Sequence, residues 1–278
     1  MISRTAIILY LKSCVASEGQ WTTVKVFERS RATHVSPLSR GVRVGAVLLS
    51  ALLGWLVYQW ITWPDVAYLA SGDPKSTAFI DRYRTRAASD PSMPALRWQW
   101  VDYAEISVHM KRATVVAEDI EFFSHSGFSR AEIAAAVREA VREREAPRGA
   151  STITQQTAKN LWLSPSRNPL RKVKEAILTR QLEHRLTKQR ILEIYLNVAE
   201  FGSGLYGVET AARHYFGKPA AELDQREASL LAASLPRPAT WNPSSDSPHY
   251  LAYAAEVERR MDTADFLWKY VDSQENRR

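Results

Sequence analysis

The chain has 278 residues, of which 45% are hydrophobic and 24% are charged, a composition typical of a folded protein with one full core. Its single cysteine, Cys14, excludes an intramolecular disulfide framework and a cysteine-based zinc site. The formal net charge is +7, and the seven cations and two acids before residue 44 contribute +5 of it. Most of the excess positive charge therefore lies in an N-terminal tail. No nucleic-acid recognition motif accompanies it, so we expect no nucleic-acid partner.

Residues 44–63, VGAVLLSALLGWLVYQWITW, form an uncharged stretch of twenty residues. As a helix with about 1.5 Å rise per residue, the stretch would span roughly 30 Å, the thickness of the hydrocarbon core of a bilayer. Trp60 and Trp63 near its end are typical of a membrane interface. A buried core helix is disfavoured by the lack of a polar face, and a cleaved signal peptide by the length of the run. We predict one transmembrane helix.

Segments rich in Lys and Arg stay on the cytoplasmic side of a membrane. Residues 1–43 are therefore predicted to form a basic cytoplasmic tail, which places residues 64–278 across the membrane. Residues 64–106 mix Pro, Asp, Trp and short apolar runs, and this mixture predicts a connecting, membrane-proximal region with one or two short elements. Residues 107–278 are predicted to form the main domain.

Apolar residues at helical spacing dominate the main domain. They predict helices over residues 113–123, 131–145, 153–163, 170–186, 188–198, 208–216, 222–235 and 250–271. Thr152, followed three residues later by Gln155, predicts a capping box at the start of the third of these helices. No convincing run of alternating strands is present, so the fold class is mainly α.

The first group of residues that could carry chemistry is AEDIEFFSHSG, residues 117–127. On a helix, Glu118 would lie one turn from Phe122, and an apolar wall raises the pKa of a carboxyl group toward the range that a general acid or base needs. Asp119 points about 100° away from Glu118 on such a helix. The alternative is a solvated acidic helix end, with His125 as a capping or packing residue.

The second group is RGASTITQQTAKN, residues 148–160, where six neutral hydrogen-bonding side chains lie between Arg148 and Lys159. These six are Ser151, Thr152, Thr154, Gln155, Gln156 and Thr157. A capped helix N-terminus presents free N–H groups and the positive end of a dipole, which together favour an anion. The segment therefore predicts a phosphate or sugar site, with a well-capped helix whose polar face is hydrated as the alternative.

The third group lies at the start of residues 171–197, RKVKEAILTRQLEHRLTKQRILEIYLN. Arg171 and Lys172 precede Glu175 by four and three residues, so all three side chains can share one helix face. Taken alone, such a set is an ordinary surface ion pair worth a few tenths of a kcal/mol. We expect Glu183, Glu193 and Glu200 to form ordinary surface ion pairs as well.

Taken together, the carboxylates, cations and hydroxyl-binding groups describe a cleft for a sugar that bears phosphate. A glycosyl pyrophosphate has a good leaving group, so cations stabilise its departure and one base deprotonates the attacking hydroxyl. The membrane span suggests a substrate that also lies in the membrane. One rival is a glycoside hydrolase or lytic transglycosylase, which needs a general acid and no basic phosphate site. The other rival is a membrane-anchored scaffold with inert polar groups.

Four stretches in chain order, EDIEFFSHSG, RGASTITQQTAKNLWL, RKVKEAI and KQRILEIYLN, resemble the motifs of glycosyltransferase family 51, the glycosyltransferase domain of bacterial peptidoglycan synthases. The similarity covers residues 107–243 and is greatest to the monofunctional branch. It implies a lysozyme-like, mainly α domain with two lobes, behind one N-terminal transmembrane helix. The implied activity is inverting polymerisation of lipid II into β-1,4 glycan strands, with release of undecaprenyl pyrophosphate outside the inner membrane.

The resemblance also implies roles for single residues. Glu118 matches the base that deprotonates the 4-hydroxyl of the acceptor sugar, Asp119 its essential acidic neighbour, and Glu175 a second carboxylate near the anomeric centre and pyrophosphate of the donor. The residues matched to substrate binding are His125, Arg148, Ser151, Thr152, Gln155, Gln156, Lys159, Arg171 and Lys172.

Some features depart from the family or lie outside its motifs. At Phe128–Ser129 the family more often has a polar sequence. The 43 residues before the span are long for this branch, so we expect the true start codon further downstream. No Ser-x-x-Lys motif occurs, which predicts glycan polymerisation without transpeptidase activity. The expected partners are lipid II, the nascent glycan strand, the inner membrane and proteins of cell division or cell-wall synthesis. No cofactor is required by the sequence, and Mg²⁺ or Mn²⁺ bridging Asp119 or Glu175 to pyrophosphate is left open.

Overall fold

The computed structural model describes residues 37–129, 151–166 and 168–271. The chain divides between Thr62 and Trp63 into two compact units. The first unit contains helix α1, Pro37–Ile61, and its part Gly41–Ile61 is long and apolar enough to cross a membrane by length and composition. The helix begins seven residues before the predicted span and ends two residues before its end. The predicted helix over residues 131–145 lies outside the described residues.

The second unit is built mainly from helices. They are α2 (Ala78–Ser89), α3 (Val108–Glu118), α4 (Ile153–Trp162), α5 (Pro169–Arg185), α6 (Lys188–Val198), α7 (Val208–Phe216), α8 (Gln225–Ser234), α9 (Pro248–Thr263) and the short α10 (Trp268–Val271). In the described part of this unit, four 3₁₀ turns lie at Ala67–Ala70, Tyr103–Glu105, Ala220–Glu222 and Asp265–Leu267. The strands β1 (Arg97–Trp98), β2 (Glu200–Gly202) and β3 (Leu205–Tyr206) form one small sheet in the order β1-β3-β2, with β1 parallel and β2 antiparallel to β3. The predicted mainly α fold class is confirmed.

Local sequence signals set several of the helix boundaries. α6 and α7 begin and end at the predicted residues, and the capping box of Thr152 and Gln155 starts α4. A second capping box, formed by Asp224 and Glu227, starts α8 three residues later than predicted. The expected long last helix is wrong, because the backbone of Ala264 leaves the helical conformation (φ −104°, ψ 42°) and ends α9.

Residues 64–106 are part of the compact domain and contain more structure than predicted. Thr77 caps the twelve-residue helix α2 through a hydrogen bond from the Ile80 N–H group. The guanidinium group of Arg190 on α6 donates hydrogen bonds to the carbonyls of Leu69 and Gly72 at 2.9 and 2.8 Å. These long-range contacts attach the segment to the helical core, so it is not a free connector.

The core joins two groups of helices. α3 packs mainly against α8 and α9, while α4 packs against α5 and α6. Met110 of α3, Ile153 of α4, Leu178 of α5 and Leu192 of α6 are fully buried in one continuous cluster. This cluster fixes the C-terminal end of α3 relative to the N-terminal end of α4, and the polar residues described below lie at that junction.

Asn197 of α6 offers a test of how residues 97–106 are held. Its buried side chain accepts a hydrogen bond from the Val101 N–H group at 2.9 Å and donates to the Val101 carbonyl at 2.8 Å. Asn197→Ala leaves both buried backbone groups unpaired, so we expect the free energy of unfolding to fall by about 2–4 kcal/mol. Asn160→Ala, on a half-buried side chain of α4, is the matched control. Equal melting temperatures for the two variants in detergent would contradict this assignment.

Candidate active site

Glu118 is the last residue of α3, and its half-buried carboxylate faces α4. The side-chain amide of Gln156 donates a hydrogen bond of 2.6 Å from Nε2 to Oε2 of Glu118. Burial raises the pKa of Glu118, and the nearby negative charge of Asp119 adds to the rise. The Gln156 hydrogen bond and the positive charge of Lys159 act in the opposite direction. Glu118 is therefore a carboxyl group whose proton affinity is increased by its surroundings.

The sequence argument for Glu118 was correct in the direction of the shift and wrong in its cause. α3 does not continue to residue 123, because Asp119 leaves the helical conformation (φ −164°, ψ 79°). Phe122 therefore lies in the following turn and not one helical turn above Glu118. Its fully buried ring contacts Phe123, His125 and Lys188 instead.

The carboxylate of Asp119 is buried and has internal partners. It accepts a hydrogen bond from the Ile153 N–H group at 3.1 Å and lies 3.0 Å from Nε2 of His125. The Gly127 N–H group donates to Nδ1 of His125 at 3.0 Å, so Nδ1 is an acceptor and Nε2 carries the hydrogen that points at Asp119. Both ring nitrogens of His125 are thus used inside the protein, and its predicted contact with substrate stays a prediction.

The N-terminus of α4 does bind an anion, but the anion is Asp119 of the chain itself. The Thr152 N–H group donates to Oε1 of Gln155 at 2.9 Å, and the Gln155 N–H group donates to the Thr152 hydroxyl at 3.2 Å. The hydroxyl donates in turn to the Gly127 carbonyl at 2.8 Å. The prediction that this terminus offers its free N–H groups to a ligand is wrong for Thr152, Ile153 and Gln155. The observed contacts of Thr152 and Gln155 are internal, and their role in substrate binding stays a prediction.

Ser151, Gln156 and Lys159 are half-buried residues at the same place, before and along α4. Nε2 of Gln156 also donates to the Ser151 carbonyl at 3.2 Å. Burial lowers the pKa of Lys159, whereas the carboxylates of Glu175 and Glu118 act to raise it. Within the described part of the chain the Lys159 ammonium group has neither a hydrogen bond nor an ion pair. Its charge lies near two carboxylates and is paired with neither of them.

Glu175 of α5 is buried, which excludes the alternative of a surface ion pair. Its side chain is 3% exposed, and its carboxylate is bonded to Nη1 of Arg171 at 2.7 Å and to the Lys172 ammonium group. Half of the Lys172 side chain is exposed, whereas Nε of Arg171 is buried without a hydrogen-bond partner among the described residues. The two cations neutralise Glu175 and still leave donor groups that a second anion could reach.

Two further carboxylates assigned to surface ion pairs are largely shielded from solvent, Glu183 with 9% of its side chain exposed and Glu193 buried. Glu183 of α5 accepts hydrogen bonds from the Thr154 hydroxyl and from the Lys188 ammonium group, the latter at 2.8 Å. Glu193 of α6 is 5% exposed and pairs with Arg190. Burial raises the pKa of Glu193 and also that of Glu200. Helical spacing alone did not distinguish a buried pair from a surface one.

The structure therefore brings the three predicted groups together at the ends of α3, α4 and α5. Arg148 lies outside the described residues. Sequence reasoning missed Tyr195 and Tyr253, whose hydroxyl groups donate to Oε1 of Gln156 at 3.2 Å and to the Ala117 carbonyl at 3.1 Å. Among the residues that the structure describes, no group of three or more His, Cys, Asp or Glu side chains is placed to hold a metal ion.

Comparison with known proteins agrees with this arrangement. The family model for the transglycosylases matches residues 91–264, more than half of the chain. Three relatives, each named a biosynthetic peptidoglycan transglycosylase, come from Azoarcus sp. (strain BH72), Nitrosomonas eutropha and Bordetella pertussis. They are 43%, 38% and 40% identical to the chain, and the alignments cover 80%, 87% and 78% of the chain and 96%, 99% and 92% of the relatives.

The fold and the match define a glycosyltransferase with a lysozyme-like, mainly α domain. The chain belongs to the transglycosylase family. The resemblance read from the four sequence motifs is thereby confirmed.

The raised pKa of Glu118 predicts a change in stability. Because the folded protein binds this proton more tightly than the unfolded chain, stability falls as the pH rises from the unfolded-state pKa through the folded-state pKa. The ionised carboxylate therefore lowers stability at neutral pH. Glu118→Gln is expected to raise the melting temperature at neutral pH, and the gain should disappear in acid.

The measurement is a series of thermal melts of the full chain in detergent across acidic and neutral pH. Glu105→Gln, which neutralises an exposed carboxylate in a 3₁₀ turn, is the matched control and should leave the melting temperature unchanged. A lower melting temperature for Glu118→Gln at neutral pH would refute the assignment.

Proposed function

We propose that the chain is a peptidoglycan glycosyltransferase that polymerises lipid II into β-1,4 glycan strands in cell-wall biosynthesis. The observation that carries the proposal is the position of Lys159, an ammonium group near both Glu118 and Glu175 with no ion pair of its own in the described part of the chain. A base and a cluster of cations at one place are what transfer from a glycosyl pyrophosphate requires. The names of the relatives support peptidoglycan as the product.

In the proposed reaction Glu118 removes the proton from the 4-hydroxyl of the acceptor sugar. A bond forms between that oxygen and the anomeric carbon of the donor, and the bond from this carbon to the pyrophosphate oxygen breaks with its electron pair. Attack opposite the leaving group inverts the α-linked donor into a β-1,4 link. The raised pKa of Glu118 suits this role, since a carboxylate with greater proton affinity is a stronger base.

The leaving undecaprenyl pyrophosphate carries the negative charge that develops in the transition state. Lys159, Arg171 and Lys172 supply three positive charges beside Glu175, and only Arg171 and Lys172 are already paired with it. Cations held in place before the reaction stabilise such charge without reorganising. Glu175 reduces the net charge of this cluster and holds Arg171 and Lys172 in position.

A glycoside hydrolase with a lysozyme-like fold is the second candidate, because a raised pKa also suits a general acid. A sugar leaving group needs that acid. Once protonated, it carries no negative charge that the three cations beside the second carboxylate would stabilise. The charges around Lys159 and Glu175 therefore favour the transferase.

We further propose that α1 crosses the inner membrane once, with a cytoplasmic N-terminus and a periplasmic catalytic domain. The residue that follows Thr62, Trp63, packs on α5, where its indole N–H donates to Gln181 at 2.9 Å and Lys174 lies 5.3 Å from its ring. The apolar side chains of Leu170, Val173 and Ile177 are 60%, 57% and 44% exposed on this helix. Exposed apolar residues on the helix that Trp63 contacts are typical of a surface that meets lipid.

The first test is polymerisation of purified lipid II by the full chain in detergent, followed by separation of glycan strands on a gel. Wild type should form polymer, and Glu118→Gln should lose at least about 100-fold in rate because the base is gone. The exposed Glu105→Gln is the control and should retain wild-type activity. Parallel reactions with EDTA decide whether a divalent cation takes part.

Each failure has a distinct meaning. Full activity in a folded Glu118→Gln protein refutes Glu118 as the base. Digestion of preformed glycan by wild type, with no polymer from lipid II, favours the hydrolase. The lack of transpeptidase activity stays a prediction, tested by the absence of cross-linked peptides in the polymer product.

The second test locates the exposed side of α5. Val173→Cys, in a Cys14→Ser background, gives one thiol for an environment-sensitive dye on the full chain in phosphatidylglycerol vesicles. We expect blue-shifted emission and quenching by spin-labelled lipid, because Val173 would lie at the bilayer surface. Ser203→Cys, exposed between β2 and β3, is the matched control and should remain in water. Equal quenching at the two positions would contradict the proposal.

A further inference from the structure

Tyr195 lies near the C-terminal end of α6 among apolar neighbours, and none of the roles assigned from the sequence falls on it. Its side chain is 1% exposed, and its hydroxyl reaches out of the core to donate a hydrogen bond of 3.2 Å to Oε1 of Gln156. The contact joins residues 39 positions apart. A buried tyrosine usually finds a partner for its hydroxyl, but here the partner is the side chain that also holds Glu118.

The amide of Gln156 can take two orientations of nearly equal shape, related by exchange of oxygen and nitrogen. In the observed orientation Nε2 donates to Glu118 and to the Ser151 carbonyl, while Oε1 accepts from Tyr195. The flipped orientation would turn the amide oxygen toward two other acceptors. The two acceptors, the Glu118 carboxylate and the Ser151 carbonyl, set this orientation, and the Tyr195 hydroxyl holds it from the other side by donating to Oε1.

We propose that Tyr195 is a positioning residue for glycosyl transfer, which fixes the amide of Gln156 so that its N–H group points at the base Glu118. The proposal rests on the proposed function for its kinetic consequence. Tyr195 does not reach the reacting atoms and acts through Gln156. The hydroxyl stays a donor wherever Glu118 titrates, because burial holds the pKa of Tyr195 well above its ordinary value.

The charged and titratable groups around Glu118 come from four elements. Lys159 on α4 stabilises the carboxylate form, whereas Asp119 after α3 destabilises it. Tyr195 on α6 and Tyr253 on α9 face the same carboxylate, and the pKa of Tyr253 is also raised, chiefly by burial. Removal of the Tyr195 hydroxyl leaves Lys159, Asp119 and Tyr253 in place, so the change acts on Gln156.

The sign of the effect follows from the role of the amide. A hydrogen bond from Gln156 to the carboxylate lowers the pKa of Glu118 against the opposing effect of burial. When the amide is no longer held, that stabilisation weakens and the pKa of Glu118 rises further. The unprotonated base then forms only at higher pH, and the acidic limb of the pH–rate profile moves upward.

The test is Tyr195→Phe in the full chain, with lipid II polymerisation measured across pH. We expect kcat to fall about 3- to 10-fold with little change in KM, and the acidic limb to shift to higher pH. Carboxyl ¹³C NMR of Glu118, assigned by comparison with Glu118→Gln, gives the same titration without any activity and should show the same upward shift.

Two controls separate positioning from stability. Tyr83→Phe removes another buried hydroxyl, which donates to the Pro94 carbonyl at 2.7 Å, and should lower the melting temperature without moving the acidic limb. In a Gln156→Ala background, Tyr195→Phe should cause no further shift, because the residue through which it acts is absent. An unchanged Glu118 titration in Tyr195→Phe, or the same shift with and without Gln156, overturns the proposal. Failure of wild type to polymerise lipid II overturns the proposed function instead, and the NMR titration still decides the role of Tyr195.

Discussion

The geometry of the site depends on the buried carboxylate of Asp119. It accepts the N–H group of Ile153, 34 residues further along the chain, and the ring N–H of His125. A carboxylate at a helix N-terminus is stabilised both by hydrogen bonds and by the helix dipole. Because Asp119 directly follows the last residue of α3 and Ile153 is the first residue of α4, this joint places Glu118 against Gln156. Asp119 thus joins the end of α3 to the start of α4, and this role accounts for its burial.

α5 carries part of the site on one face and exposed apolar residues on another. Glu175 is buried on one face of the helix, while Val173 and Ile177, each about 200° away around the axis at roughly 100° per residue, are exposed on the opposite face. Trp63 packs on the same helix through Gln181. Under the proposed function, α5 carries cations for the pyrophosphate beside Glu175 and an apolar face for the lipid.

Local features of the fold could be predicted from the sequence, and long-range ones could not. The spacing of Thr152 and Gln155 was sufficient for the capping box, because both partners lie within one turn. The end of α3 was missed because it depends on the hydrogen bond that the Ile153 N–H group donates to Asp119. Sequence spacing does not reveal this partner. The burial of Glu175 could not be predicted for a related reason. Its spacing to Arg171 describes the pair correctly, but its burial is decided by the packing of α4 on α5.

Lys159 lies near both carboxylates, and its pKa reflects the balance between its burial and their charges. Burial lowers the pKa of this ammonium group, and Glu175 and Glu118 only partly offset the loss of hydration. Under the proposed function, the pyrophosphate of the donor would pair with the positive charge that stabilises ionised Glu118. Since Lys159 acts to lower the pKa of Glu118, neutralising it raises that pKa. Under the proposed function, the pyrophosphate of the donor therefore acts on the proton affinity of Glu118 through Lys159.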